Sequence, residues 1–391
     1  MERFLAVLVA LLVLSGSAIA VVGGQSGDAG PADRAPVAGV SDETPRVLAL
    51  DRAEAAGFGR PDLSVTTALA AETSTLESTL FRYEVETEVE QVETDTEKRK
   101  VLLAATRAVE RRVDSVETEE RSARMQYIQG EESASAYLES LGRIDVAARG
   151  WDRTLERIEV LSDRRSVVRS AARSIGADLE TLKGPNRERA GEIVLGQRAS
   201  DRMYVEASEQ GTILADIEDG AYVREAVRTD NSDDDAGAMT IGEAESRFEE
   251  LYPVAWETRS GISVDKQGPD VWRLELRHDH GTLTSYLDTS TRYAYREVHL
   301  KTLSGIPTVT ETTVDAGNTT LNVSRTYAGG PLEISVANAT GEPVFATVSV
   351  DGTRIGVTGQ DGSIWAVSPP GTYNVTAERN GQEIEATVTA R

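Results

Sequence analysis

The sequence predicts a multidomain α+β protein. It divides into an N-terminal antiparallel helical bundle or coiled coil, a central α+β domain on an antiparallel sheet, and a C-terminal Ig-like or transthyretin-like β-sandwich. Three observations predict it. Tyr137, Leu141, Ile144, Ala148, Trp151, Leu155 and Ile158 recur at alternating spacings of four and three, one apolar helical stripe that needs a partner. After Gly196 the apolar period falls from helical to alternating, the mark of half-buried strands. From Ile306 the chain is rich in Thr, Val and Gly, and short alternating runs are separated by turn residues.

Residues 1–20 read as a signal peptide. Arg3 precedes an apolar run from Phe4 to Leu14, and Ala18-Ile19-Ala20 supplies a small-residue site with cleavage after Ala20. The alternative is an uncleaved anchor, since the run from Phe4 to Val22 nearly spans a bilayer. Residues 21–60, rich at first in Gly, Ala, Pro and Asp, read as a disordered tether.

Residues 61–196 read as the helical domain. Asp62 to Gln129 contains neither Gly nor Pro, and Thr94 with Glu97 fits a capping box that restarts a helix. Leu102, Ala105, Val109, Val113 and Val116 continue a stripe; Gly130 interrupts it, and the stripe from Tyr137 to Ile158 follows. Val168, Ala171, Ile175, Leu179 and Leu182 suggest a further helix, which Gly184-Pro185 ends.

Residues 197–303 read as the central domain. Alternating runs at 203–207, 212–217 and 222–227, with turns at Gly211 and Asp219-Gly220, give a three-strand meander. Thr229 to Gly237 is an acidic loop, without calcium-loop spacing around its aspartates. A short amphipathic helix opens at Thr240 or Ile241, with Ala244, Phe248 and Leu251 inward and Pro253 just past its end. Strands follow at 262–265, 271–278, 283–288 and 293–300. The helix and meander, with Trp272-Arg-Leu-Glu-Leu and Gly281-Thr-Leu-Thr-Ser-Tyr-Leu-Asp288, resemble the PepSY family of small extracytoplasmic domains over about residues 240–303. That resemblance implies association with, and local modulation of, peptidases.

Residues 304–391 read as the sandwich. Strands fall at 332–336, 344–350, 363–367, 373–377 and 383–388, with turns at Asp351-Gly352, Asp361-Gly362, Pro370-Gly371 and Asn380-Gly381. Gly341-Glu-Pro-Val, Val350-Asp-Gly, Asp361-Gly-Ser and Pro370-Gly-Thr-Tyr-Asn-Val-Thr376 resemble carboxypeptidase-regulatory-like, transthyretin-like sandwiches. That family implies a non-catalytic module of secreted or surface proteins. The whole order is similar to a group of uncharacterised haloarchaeal secreted proteins.

Composition limits the function classes. The formal net charge is −24 over 391 residues, and no basic face is visible to meet nucleic acid. Acidity with so little Lys matches adaptation to concentrated salt, where a Debye length of ~3 Å at 1 M screens self-repulsion. The absence of Cys excludes disulfides, thiolate metal sites and thiol nucleophiles. No dinucleotide fingerprint, phosphate loop, nucleophile elbow or H-E-x-x-H is present, and no cofactor is implied. Asn318, Asn322, Asn338 and Asn374 each begin an N-x-[ST] sequon, all within the sandwich, which suits glycosylation of an exported module. His278, His280 and His299 are the only histidines; strand alternation places the first two on one face, and a three-His metal site is geometrically possible. Against it stands a plain polar face near a turn.

The expectation is an exported, non-enzymatic cell-envelope or secreted protein that meets an unknown protein partner by surface contact, touching membrane only through an uncleaved N-terminal segment. The alternatives are a regulator or chaperone of an exported peptidase and a metal-binding surface protein.

Overall fold

The computed structural model describes residues 47–164, 166–233, 237–326 and 330–390. The cleavage site after Ala20 and the first part of the expected tether lie outside these residues. The described part of that tether is corrected. Val47 and Leu48 are buried, and strand β1 (Ala55–Gly59) is an ordered edge strand. Gly57 and Gly59 give β1 a linker-like composition, yet Gly59 is needed for fit. A Cβ on Gly59 would lie 2.6 Å from the Leu138 side chain, where the strand meets a helix.

Five helices follow: α1 (Val65–Gln91), α2 (Asp95–Ile128), α3 (Ala134–Leu161), α4 (Val167–Leu179) and α5 (Pro185–Val194). Ser64, Thr94, Ser133 and Ser166 cap the first four, each side-chain oxygen accepting a backbone N–H of the first turn. The stripe on α3 is buried throughout, and from Ile144 to Ile158 it forms one core with Leu102, Val109 and Val113 of α2 and Val168, Ile175 and Leu179 of α4. Gly184-Pro185 follows the helical turn that ends at Leu182, as expected, and also begins α5. Proline occupies the first turn, where its missing N–H has no partner to lose. Helices α3 and α5 touch backbone to backbone: a Cβ on Gly142 would lie 2.5 Å from the Gly191 nitrogen.

The three-strand meander and four-strand unit expected in the central domain share one sheet. Strands β2 (Met203–Ser208), β3 (Gly211–Glu218), β4 (Ala221–Arg228), β5 (Gly261–Gln267), β6 (Val271–His278), β7 (Gly281–Asp288) and β8 (Ala294–Thr302) join β1 in one antiparallel sheet of eight. The order is β1-β2-β3-β4-β8-β7-β6-β5, so the last strands of the two meanders pair. One sheet face carries Met203, Val205, Ala207 and Leu214 and packs on Tyr127, Tyr137, Leu138 and Leu141 of the helices. On the other face, α6 (Ile241–Leu251) and α7 (Pro253–Glu257) lay Phe248, Tyr252 and Trp256 over Trp272, Leu274 and Leu283. A capping box between Thr240 and Glu243 fixes the start of α6.

The C-terminal part is a two-sheet sandwich. Strands β9 (Val309–Ala316), β10 (Thr319–Arg325), β11 (Pro331–Asn338), β12 (Thr347–Val350), β13 (Thr353–Val357), β14 (Ser363–Val367), β15 (Gly371–Arg379) and β16 (Gln382–Ala390) form sheets β14-β11-β10-β9 and β13-β12-β15-β16. Leu321, Val323, Ile334, Val348, Val375 and Val388 fill the space between them. Val367 of β14 shares a second cluster with Tyr204, Tyr222, Leu303 and Val47, which seats the sandwich against the large sheet.

Candidate functional site

The densest polar chemistry lies on the face of the large sheet opposite the long helices. Register places Glu206, Ile213, Ala226, Glu297 and Ser285 in one row across β2, β3, β4, β8 and β7. The adjacent row is Tyr204, Ala215, Arg224, His299 and Leu283. Antiparallel partners share a face, so Arg224, Glu297 and His299 meet without any loop to position them.

Over this centre runs the segment of residues 47–51. The Leu48 N–H donates to Glu297 Oε2 at 2.6 Å, and Arg224 donates to the Leu48 carbonyl at 2.6 Å. Arg228 donates to the Ala49 carbonyl at 3.1 Å and forms a two-pronged pair with Asp51 at 2.8 and 2.9 Å. Leu48 and the partly buried Leu50 pack on Ile213 and Ala226. Two backbone groups of one residue are thus held by a cation and an anion: the site grips the main chain and adds an apolar seat for Leu48.

The rest of the network holds Glu297 in place. Its other oxygen accepts from the Tyr252 hydroxyl, and Tyr252 also contacts Ser285 Oγ at 2.9 Å. His299 Nε2 lies 3.1 Å from Glu297 Oε2. Burial pushes the Glu297 carboxyl up, but the His299 ring, Arg224 and the Tyr252 hydroxyl together hold it below the usual carboxylate range. Burial pulls His299 down to about 4, against the pull of Glu297. Ser285, His299 and an acid are therefore adjacent, but the serine oxygen faces Tyr252 rather than a ring nitrogen, and all are fully buried.

The three-His metal site is corrected. His278 ends β6 and His280 lies in the following turn, so the pair does not share strand alternation. Their ring centroids stand 6.0 Å apart, nearly edge to face. His280 Nδ1 is 2.8 Å from the Gly305 carbonyl, His278 Nδ1 accepts the His280 N–H at 3.3 Å, and His299 turns to Glu297. Each histidine serves a separate partner, and among the described residues no group of three or more His, Asp or Glu is arranged to hold a metal ion. Burial, with the like charges of His299, Lys301 and His280, lowers His278 to about 3.

On the opposite face a second buried network joins helices to sheet. Glu225 pairs with Arg187 at 3.2 Å and accepts the Asn186 N–H at 3.0 Å. Glu180 accepts from Tyr286 at 2.8 Å and from Arg296 at 3.0 Å. Beside this junction opens a cleft of about 520 Å³ between α2, α4, the segment after β4 and the β5–β6 turn. Its lining mixes Arg121 and Arg124 with Glu117, Glu120, Asp270 and Asp288, a polar recess of both signs.

A family model for a domain of unknown function, DUF7096, matches residues 1–199, just over half of the chain. The chain belongs to the DUF7096 family. Two further models match this DUF7096 protein: a family of unknown function, DUF7094, over residues 203–307, and an archaeal fibronectin-III type-like domain over residues 310–386. No curated protein and no solved structure matches it. In this DUF7096 member the clamp crosses the family boundary. Leu48 and β1 lie in the first matched region, while Arg224, Glu297 and His299 lie in the second. The fibronectin-III-like match agrees with the Ig-like sandwich expected from the sequence.

All four sequons map to the sandwich surface. Asn318 is exposed at the β9–β10 hairpin tip, and Asn322 and Asn374 are half-buried, pointing away from the core. The Asn338 amide is engaged: its oxygen accepts the Thr340 and Glu342 N–H groups, and its nitrogen donates to Glu342. No helix among the described residues is long and apolar enough to cross a membrane.

Proposed function

We propose that this DUF7096 protein is an exported, non-enzymatic protein of the cell envelope or medium of a halophilic archaeon, acting by surface contact with a protein partner. The observation that carries the reading is the clamp on residues 47–51. Leu48 is fastened through its main-chain groups to Glu297 and Arg224 at the centre of the large sheet. An export segment over residues 1–20 gives such an attachment a purpose. Helices of 27, 34 and 28 residues supply a spacer, in the form of a coiled-coil-like bundle. The archaeal fibronectin-III-like sandwich, with four outward sequons, supplies the displayed end, and the carboxypeptidase-regulatory-like resemblance points to the same role.

The test is mass spectrometry of the native protein after cell fractionation. The expected result is a chain processed after Ala20, found in envelope or medium, with glycan on Asn318 and less or none on Asn338. Full-length unmodified protein confined to the cytosol would contradict it.

A second reading is favoured by one observation: α6 and α7 pack across β5–β8, the helix-on-meander arrangement behind the PepSY resemblance. On this reading the unit modulates an exported peptidase. Affinity capture from culture medium tests it, and capture that enriches no peptidase counts against it.

A further inference from the structure

Helix α1 buries only Ala71, Ser78 and Val85. Its contact with α3 includes a close approach of small residues, where a Cβ on Gly150 would lie 2.5 Å from Ser78 Oγ and Thr154 donates to the Ser78 carbonyl, and an edge contact of Phe81 with Trp151. Phe81, Val85 and Val89 of α1 turn to the helical core, and its other large apolar residues face outward. Val65, Leu69, Leu76, Leu80 and Tyr83 are between 57% and 80% exposed and follow helical spacing along one face. With Leu63 they make up six of the fourteen exposed large apolar side chains among the described residues. On a chain of net charge −24 this is a conspicuous departure. Sustained apolar stripes on monomer surfaces mark contact sites.

Charge decides the occupant. From Val65 to Leu76 the only charged residue of α1 is Glu72, whereas from Glu77 to Gln91 there are five Glu and one Arg. Side-by-side parallel helices would set the two acidic ends together. An antiparallel arrangement sets each acidic end beside the other helix's uncharged half and the partial positive charge of its N-terminus. Leu76 is the midpoint between Leu69 and Tyr83, so a two-fold axis at Leu76 puts Leu69 opposite Tyr83 and buries the stripe on itself. We propose that α1 pairs with α1 of a second copy of this chain, antiparallel, across a two-fold axis at Leu76. The stripe spans about 27 Å at 1.5 Å per residue. Such a contact is smaller than a standard interface of about 800 Å² per partner, so the dimer is reversible and needs the acidic surfaces screened. The inference does not rest on export.

The absence of Cys makes the test clean. Single Leu76→Cys, Leu69→Cys and Phe345→Cys variants of the full chain, plus a Leu69→Cys/Tyr83→Cys double variant, are oxidised in molar KCl. Light scattering measures the mass of the wild type in parallel. Disulfides need Cα atoms within about 7 Å. Leu76→Cys and the double variant are expected to cross-link into dimers. Leu69→Cys is expected to do no better than Phe345→Cys, an exposed sandwich position that reports random collision. Leu80→Glu, with an unchanged circular dichroism spectrum, is expected to weaken the dimer at least about tenfold. A monomeric wild type overturns the proposal. So does cross-linking at Leu69 equal to that at Leu76, which means parallel helices, or cross-linking at Leu76 no faster than at Phe345.

Discussion

Glu297 accepts from the Leu48 N–H and the Tyr252 hydroxyl, contacts His299 and lies 3.8 Å from Arg224, all without solvent. Glu297→Gln keeps the shape and removes the charge. Arg224 then loses Glu297 and keeps the buried Glu206 within electrostatic reach, and loss of one member of a buried pair costs up to about 3–5 kcal/mol. Denaturant unfolding in concentrated salt should show a loss of that order; a loss below about 1 kcal/mol would mean that the pair is solvated. The histidines add a pH dependence. His278 and His299 take up protons less readily folded, at about 3 and about 4, than in the unfolded chain at about 6.5. Their contribution is full above pH 6.5 and declines as pH falls towards 4, because the unfolded state binds the extra protons. Each extra proton contributes a slope of about 1.4 kcal/mol per pH unit. His299→Gln should flatten the acid side of the stability curve; an unchanged curve would show that His299 is not held neutral.

Among the elements, α3 carries the most contacts of consequence. It packs on α2 and α4 through its stripe, on β3 through Tyr137, whose hydroxyl lies 2.7 Å from Thr212 Oγ1, and on α5 through bare backbone at Gly142. Gly142→Ala drives a methyl group into the Ala190–Gly191 backbone, which cannot swing away as a side chain can. Overpacking of this kind costs about 1–3 kcal/mol. A thermal melt should show it, and Gly176→Ala, where an added Cβ meets nothing within 4 Å, is the control. If both variants melt alike, the α3–α5 approach is looser than described.

Across the whole molecule, net charge sets the conditions for folding. A charge of −24 repels itself, and screening by concentrated salt removes the penalty. Unfolding temperature should rise between about 0.1 M and about 2 M KCl, where the Debye length shrinks from ~10 Å to a few Å. Insensitivity to salt would contradict adaptation to brine.

Strands β2 to β8 of the large sheet were legible because apolar residues alternate along them between turn residues, and observed ends lie within two residues of the expected ones, whereas β1 lies in the stretch that reads as tether. The strand pairing that joins the two meanders was not legible, since no local pattern reports that β4 and β8 pair. The segment of residues 47–51 was hidden because Val47-Leu48-Ala49-Leu50 is too short an apolar run to carry a period. Helix α5 was hidden because Gly-Pro reads equally as an end or a beginning. Among the site residues, the three histidines drew attention by rarity, but His278 and His280 do not share a strand face because β6 ends at His278. Glu297, the residue at the centre, was one of 65 carboxylates. The outer stripe of α1 escaped notice because exposed and buried helical stripes look alike in sequence.

The central claim is that the chain entering at Val47 is fastened to the middle of the large sheet. Hydrogen exchange at the Leu48 amide tests it most directly, since that N–H is bonded to Glu297 rather than to a strand. Exchange as slow as the paired amides of β4 and β8 is the predicted result. Exchange at the rate of an open chain would contradict it.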